Sequence, residues 1–203
     1  MDTKLTLAEY FDRRALDFGK NFRACDYGCR LSFTQRREAL LQALGAVSDK
    51  RVLDVGCGPG IMTAALAKNN RLVGIDPSLN MLKLAKSDFG VVQAVGESLP
   101  FKNASFDFVV AAETLQHVGE TKLFLKELVR VTRAGGFVIL SALHENSWLH
   151  HAFSWKESYR HLHFHSLEAI KNELSSCGIR QIEVAGLCFP FPFNQNLKER
   201  RKN

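Results

Sequence analysis

Between Arg51 and Asp76 the chain packs a strand, a glycine turn, a helix and a second strand into one short stretch. That order commits the chain to a layered α/β unit. Val52-Leu53-Asp54-Val55 reads as a buried strand, and Gly56-Cys57-Gly58-Pro59-Gly60 follows it at once. Glycines at such a turn let the backbone bend tightly and come close to a ligand. A helix is expected from about Ile61 to Lys68, and its start leaves N–H groups without partners. Leu72-Val73-Gly74-Ile75 reads as the next strand and ends in Asp76. An acid placed there can accept two hydrogen bonds from ribose hydroxyls.

The same alternation continues. Strands are expected over Val91 to Ala94, Phe106 to Ala111 and Gly136 to Leu140, with helices over Leu79 to Lys86 and Thr121 to Val131. Strands separated by helices pair in parallel through right-handed crossovers, and continuous apolar strands are covered on both faces. The fold class is therefore α/β, a doubly wound, mainly parallel sheet in a three-layer sandwich. Its ligand belongs beyond the carboxyl ends of the strands, near the switch in strand order. Ahead of this core, residues 1–50 read as a helical cap. Leu7, Tyr10, Phe11, Arg14 and Phe18 recur at helical spacing, as do Leu40, Leu41 and Leu44, with Gly19, Gly28 and Gly45 as punctuation. The cofactor-binding core spans 51–142, and 143–165, rich in histidine and aromatics, is expected to be a lid. Residues 166–203 hold a helix capped by Ser166 and stopped by Gly178, a sixth strand over Arg180 to Leu187, and a basic tail. Phe189-Pro190-Phe191-Pro192-Phe193 makes a poor inner strand, because proline removes ladder donors.

At 203 residues there is room for one domain with a full core. No apolar run reaches the ~20 residues of a membrane span. Met1-Asp2-Thr3-Lys4 lacks the apolar core of a secretory signal, so a cytoplasmic protein is expected. Five scattered cysteines, Cys25 and Cys29 among them, then read as free thiols. The net charge of +6 is mild and partly sits in Lys198-Glu199-Arg200-Arg201-Lys202, a solvated tail. It does not demand nucleic acid as a partner.

The glycines fall as G-x-G-x-G, not the dinucleotide pattern G-x-G-x-x-G, with an acid two residues before the first. No Gly-Lys-Ser/Thr follows, unlike a phosphate-binding P-loop. The segment resembles the nucleoside-binding motif of class I S-adenosylmethionine-dependent methyltransferases. The resemblance extends through Glu97-Ser98-Leu99-Pro100-Phe101, Ser105 to Val110 and Leu128 to Gly136, and is nearest to small-molecule enzymes of quinone-biosynthesis type. It implies a seven-stranded sheet and S-adenosylmethionine as cofactor, with S-adenosylhomocysteine as product. It implies that Asp54, Gly56, Cys57, Gly58 and Gly60 border the methionine part, with Asp54 on the ammonium group. Asp76 would hold the ribose, Pro77 and Met81 would lie near the adenine, the loop of Gly96 and Glu97 would cover the adenine edge, and Ala111 would line the cofactor. Val95 stands where relatives often have an adenine-binding Asp, a loss worth about 0.5–1.5 kcal/mol.

Ala111 to Val118 follows the fourth strand and should face the donor methyl. Some quinone O-methyltransferases bind a divalent metal through Glu-x-x-Glu-His here. Gln116 replaces the second acid, which leaves a poor hard-metal site, and no metal is expected. An oxygen or nitrogen acceptor must lose a proton, and histidine has a suitable pKa. The candidates are His117 and His144; His117 also reads as a packed residue that fixes the loop. His161, His163 and His165 alternate, so an extended chain puts them on one face. Trp148, Phe153, Trp155, Tyr159 and Phe164 can wall an acceptor or form the core of the lid, and Tyr10 and Phe11 can close the site from the other side. Three functions stay open: methylation of a small molecule, methylation of RNA, and cofactor binding by a partner subunit without chemistry.

Overall fold

The computed structural model describes residues 6–24, 27–85, 89–146 and 162–186. Two long helices, α1 (Leu7–Ala24) and α2 (Tyr27–Leu44), precede the core. Gly19 and Gly28 lie within these helices instead of ending them, and Gly45, at φ 68°, follows α2. The strands are β1 (Arg51–Val55), β2 (Arg71–Asp76), β3 (Gly90–Gln93), β4 (Phe106–Ala111) and β5 (Thr132–Leu140). They form one sheet in the order β3-β2-β1-β4-β5, and every pairing is parallel. The order reverses between β1 and β4, so the crevice at their carboxyl ends is the switch point.

Period-two alternation sorts the strand side chains between the two faces. A short helix, α3 (Leu79–Leu84), follows β2. Leu53, Val55, Ile75 and Val109 meet Phe124, Leu125, Leu128 and Val131 of α4 (Thr121–Val131), with Ile170 and Leu174 of α5 (Leu167–Ser176) behind. On the other face Val52, Leu72 and Val110 meet Leu40 and Leu44 of α2. The α4 residues recur at 124, 125, 128 and 131, the stripe that buries one side of a helix. Ser166 caps α5 by accepting from Ala169 N–H at 3.4 Å.

Three expectations need correction. The helix after the glycine turn is a short 3-10 helix, Ala64–Lys68. Thr63, tied by its hydroxyl to Asp54, sits at φ −122°, outside α geometry, and this interrupts an α ladder. In β5 the register jumps from Phe106↔Thr132 to Phe108↔Phe137, and Gly135 takes φ 72° in the excursion. The sixth strand is not formed over 180–186. Ile179 and Ile182 rest on the core at a spacing of three, which a two-residue strand period cannot satisfy. Among the described residues the sheet has five strands, not seven.

Gly96 shows how tightly the core meets the crevice. A Cβ there would lie 2.5 Å from Cδ2 of Phe124, which is fully buried. Gly96→Ala is expected to cost about 1–3 kcal/mol by overpacking, read as a lower urea midpoint at unchanged slope.

Candidate active site

Backbone geometry builds the glycine turn. Gly56, Gly58 and Gly60 take φ of 74°, 51° and 76°, the left-handed region that other residues enter at a cost. Two of them are also crowded. A Cβ on Gly56 would lie 2.5 Å from Cγ2 of Thr114, and one on Gly60 would lie 2.6 Å from the Phe89 ring. Gly56 and Cys57 donate N–H to the Ile75 carbonyl at 2.8 and 2.9 Å, which folds the turn back over β2. Thr114 holds the turn from β4's side, its hydroxyl 2.9 Å from the Val55 carbonyl.

Asp76 closes the arrangement. Its Oδ2 accepts from Gly58 N–H at 2.9 Å and its Oδ1 from Ser78 N–H at 2.8 Å. Each carboxylate oxygen has a second lone pair, so room for two further donors remains. Burial pushes the Asp76 carboxyl up, opposed by those two N–H groups. Asp54 lies beneath the turn at 2 % exposure and accepts from the Thr63 hydroxyl. Burial, set against that bond, pushes its carboxyl up to about 7. Burial likewise pushes the Cys57 thiol up, so it stays protonated.

In front of this frame is a cleft of about 520 Å³ at the carboxyl ends of the strands. Gly56, Pro77, Gly96, Glu97 and His117, all singled out in the sequence, line it together. Val95 joins them, and Thr6, Leu7, Ala8 and Tyr10 from the start of α1 face them. Met81, 4 % exposed, and Ala111, fully buried, are not among the lining residues, nor are Asp54, Cys57, Gly58, Gly60 and Asp76. The volume and the mainly apolar wall suit a small organic ligand. This end of the sheet offers a ligand the spare lone pairs of Asp76, a wall with Pro77 and Gly96, and a buried carboxyl under the turn. A larger, more polar groove, about 710 Å³, lies at the amino ends of the strands among Arg51, Lys68, Arg71 and Asp107. It is remote from the switch point, and its Asp107 is held by Arg51 and Arg133.

The histidines separate. The His117 ring meets Phe11 of α1 edge-on at 4.9 Å. His144 is exposed, and its Nδ1 accepts from Asn146 N–H at 3.1 Å. It is not among the lining residues; His163 is. The chain at 162–165 reaches that place because His163 N–H donates to the Gln116 carbonyl at 2.7 Å and His165 bridges to His144. His165 Nε2 lies 3.3 Å from the Leu115 carbonyl, and burial lowers its pKa. His161, Trp148, Phe153, Trp155 and Tyr159 lie outside the described residues, as do most of the lid and the basic tail.

Glu113 is committed elsewhere. It takes φ 57°, pairs with Arg36 of α2, and accepts from the Ser141 hydroxyl at 3.1 Å. Among the described residues no three acids, histidines or cysteines gather into a metal-binding group. Sequence reasoning missed Thr63, Thr114 and His163. The first two are set by contacts between segments, which leave no local signature. His163 was within the alternating histidines, but nothing there singled it out.

Comparison with known proteins agrees with this geometry. A family model described as "Methyltransferase domain" matches residues 53–140. The chain is 32 % identical over 168 residues to a demethylmenaquinone methyltransferase of Renibacterium salmoninarum, covering 80 % of this chain and 69 % of the relative. It is 28 % identical over 162 residues to a ubiquinone biosynthesis O-methyltransferase of Idiomarina loihiensis, covering 69 % and 65 %. The chain thus spans about two thirds of the length of these curated relatives. The crystal structure of an S-adenosylmethionine-dependent methyltransferase from Thermotoga maritima superposes with a TM-score of 0.73 at 23 % identity, over 87 % of this chain and 82 % of that one. Among the described residues no helix is long and apolar enough to cross a membrane. The chain belongs to the methyltransferase-domain family of S-adenosylmethionine-dependent methyltransferases.

Proposed function

We propose that this chain binds S-adenosylmethionine in the cleft at the switch point and methylates a small, largely apolar acceptor of quinone-like chemistry. The observation that carries the reading is Asp76, which pins the glycine turn through Gly58 and the next helix through Ser78 and immediately precedes Pro77 in the cleft wall. In this reading Asp76 accepts from the ribose hydroxyls. Pro77, Met81, Gly96 and Glu97 frame the adenine. Gly56, Cys57, Gly58 and Gly60 bring backbone to the methionine part, with Asp54 as counter-ion to its ammonium group and Ala111 behind. The bound cofactor supplies a methyl group already activated on a sulfonium.

The protein's remaining tasks are alignment, exclusion of water and removal of a proton. Among the described residues His117 and His163 are the imidazoles that line the cleft, and they take the base role between them; His144 is not among the lining residues. The apolar wall and the likeness to a demethylmenaquinone methyltransferase support a quinone-like acceptor. RNA is not favoured, since Arg51, Lys68 and Arg71 gather at the opposite ends of the strands.

Calorimetry with S-adenosylmethionine and S-adenosylhomocysteine tests the cofactor, and transfer of a labelled methyl to hydroxynaphthoquinones tests the acceptor class. Binding of both ligands is expected; binding of neither by folded protein would end the proposal. His117→Gln should lower kcat about 100-fold and leave the Kd for S-adenosylhomocysteine within about twofold. An unchanged kcat would assign the ring to packing against Phe11.

A further inference from the structure

The cleft has a roof made by the first turn of α1, and α1 is fastened to the segment after β2 through the Asp12 carboxylate, with Phe11 against His117 beside it. Thr6 and Glu9 form a reciprocal cap, with Thr6 N–H donating to Glu9 Oε2 at 2.8 Å and Glu9 N–H donating to Thr6 Oγ1 at 3.3 Å. The start of α1 is therefore a formed helix, and it presents Thr6, Leu7, Ala8 and Tyr10 to the cleft. One turn further on, Asp12 Oδ1 accepts from the Ser78 hydroxyl at 2.5 Å and from Asn80 N–H at 3.0 Å. Asn80 Nδ2 returns a long contact of 3.5 Å to the Asp12 carbonyl.

Ser78 is also bound on its other sides. It is fully buried, its hydroxyl accepts from Met81 N–H at 3.1 Å, and its own N–H is held by Asp76. Asp12, Ser78 and Asp76 thus form one chain of hydrogen bonds running from the roof to the ribose acid. A ligand lying under Thr6 to Tyr10 is covered on that side by this end of α1.

We propose that Asp12 is a positioning residue: a latch that holds α1 closed over the cofactor and sets how fast the cofactor exchanges. The proposal rests on the cleft being the cofactor site. A latch differs from a plain supporting contact in its kinetics. Breaking it eases opening, so a ligand both enters and leaves faster. Loss of ordinary support speeds departure only, and lowers stability.

The test is stopped-flow association and dissociation of S-adenosylhomocysteine, on wild type, Asp12→Ala and Asp12→Asn, with thermal melts alongside. Asp12→Ala should raise the dissociation rate about tenfold and the association rate severalfold. Asp12→Asn keeps an oxygen that can accept from Ser78 and Asn80, and should fall between wild type and Asp12→Ala; it also carries the test if the alanine variant fails to fold. Rates within about twofold of wild type in both variants, or faster dissociation with unchanged association, would overturn the latch. Absence of binding by wild type would instead overturn the cofactor reading.

Discussion

Asp76→Ala is expected to raise the Kd for S-adenosylhomocysteine by about 10²–10⁴-fold. The carboxylate does two things at once. It satisfies the N–H groups of Gly58 and Ser78, and in the proposed complex its remaining lone pairs accept from the ribose hydroxyls. Hydrogen bonds to a charged acceptor contribute about 1.5–3 kcal/mol each, so loss of two to the ribose gives about 3–6 kcal/mol. Two donors left without partners, one part-buried and one buried, further loosen the turn. Asp76→Asn separates the effects. It retains one acceptor oxygen but turns an NH₂ toward a backbone N–H, so it should bind more weakly than wild type and more tightly than Asp76→Ala. Calorimetry at fixed salt reads all three, and circular dichroism checks that the sheet persists. A Kd for Asp76→Ala within threefold of wild type would remove Asp76 from the site.

How far the sequence could be read depended on whether each feature was local. β1, β2 and β4 are mainly apolar runs, with Asp54 inside β1 and Asp107 inside β4, and their expected limits match those found to within a residue. The same holds for α4, whose stripe from Phe124 to Val131 is a local period. β3 was placed one residue late, because as an edge strand it has all four residues exposed and no buried face to fix its limits. The 3-10 helix and the missing sixth strand were illegible for another reason. Thr63 leaves the α ladder because of Asp54, nine positions earlier, and 180–186 fails to pair because Ile179 and Ile182 find the core instead.

The site divides along the same line. G-x-G-x-G and the acid after β2 were visible because a strand-to-helix turn needs its glycines close together in sequence. Glycine positions fixed by distant rings, such as Gly96 against Phe124, were visible only through resemblance. The placement of His163 depends on an N–H bond to Gln116 from a segment far along the chain, and no periodicity announces it. The cap of α1 by Thr6 and Glu9 and the helix's role as a roof both follow from the structure, the second from Asp12 meeting Ser78.

Asp54→Asn should make the protein more stable at pH 8 and a poorer binder of cofactor, an opposition that identifies a functional charge. Burial raises the folded-state pKa of Asp54 to about 7, above its ordinary value of 3.8. The native state therefore holds a proton that the unfolded chain releases, and the associated stability is complete below about pH 4. It is lost as pH rises through about 7. The loss is at most about 4 kcal/mol, since each pKa unit is worth about 1.36 kcal/mol. Asparagine cannot ionise, so urea melts of Asp54→Asn should lack this fall between pH 4 and 8. Binding should run the other way. The proposed partner of Asp54 is an α-ammonium group, which is charged below about pH 8, while Asp54 is charged above about pH 7. The matched pair exists between those limits, so wild-type affinity should peak at pH 7–8 and weaken about tenfold or more by pH 5.5. Asp54→Asn should bind more weakly at the peak and lose the acid limb. A variant that keeps the wild-type pH profile would show that another group holds the ammonium; one that loses both the stability slope and the acid limb assigns them to a single buried carboxyl.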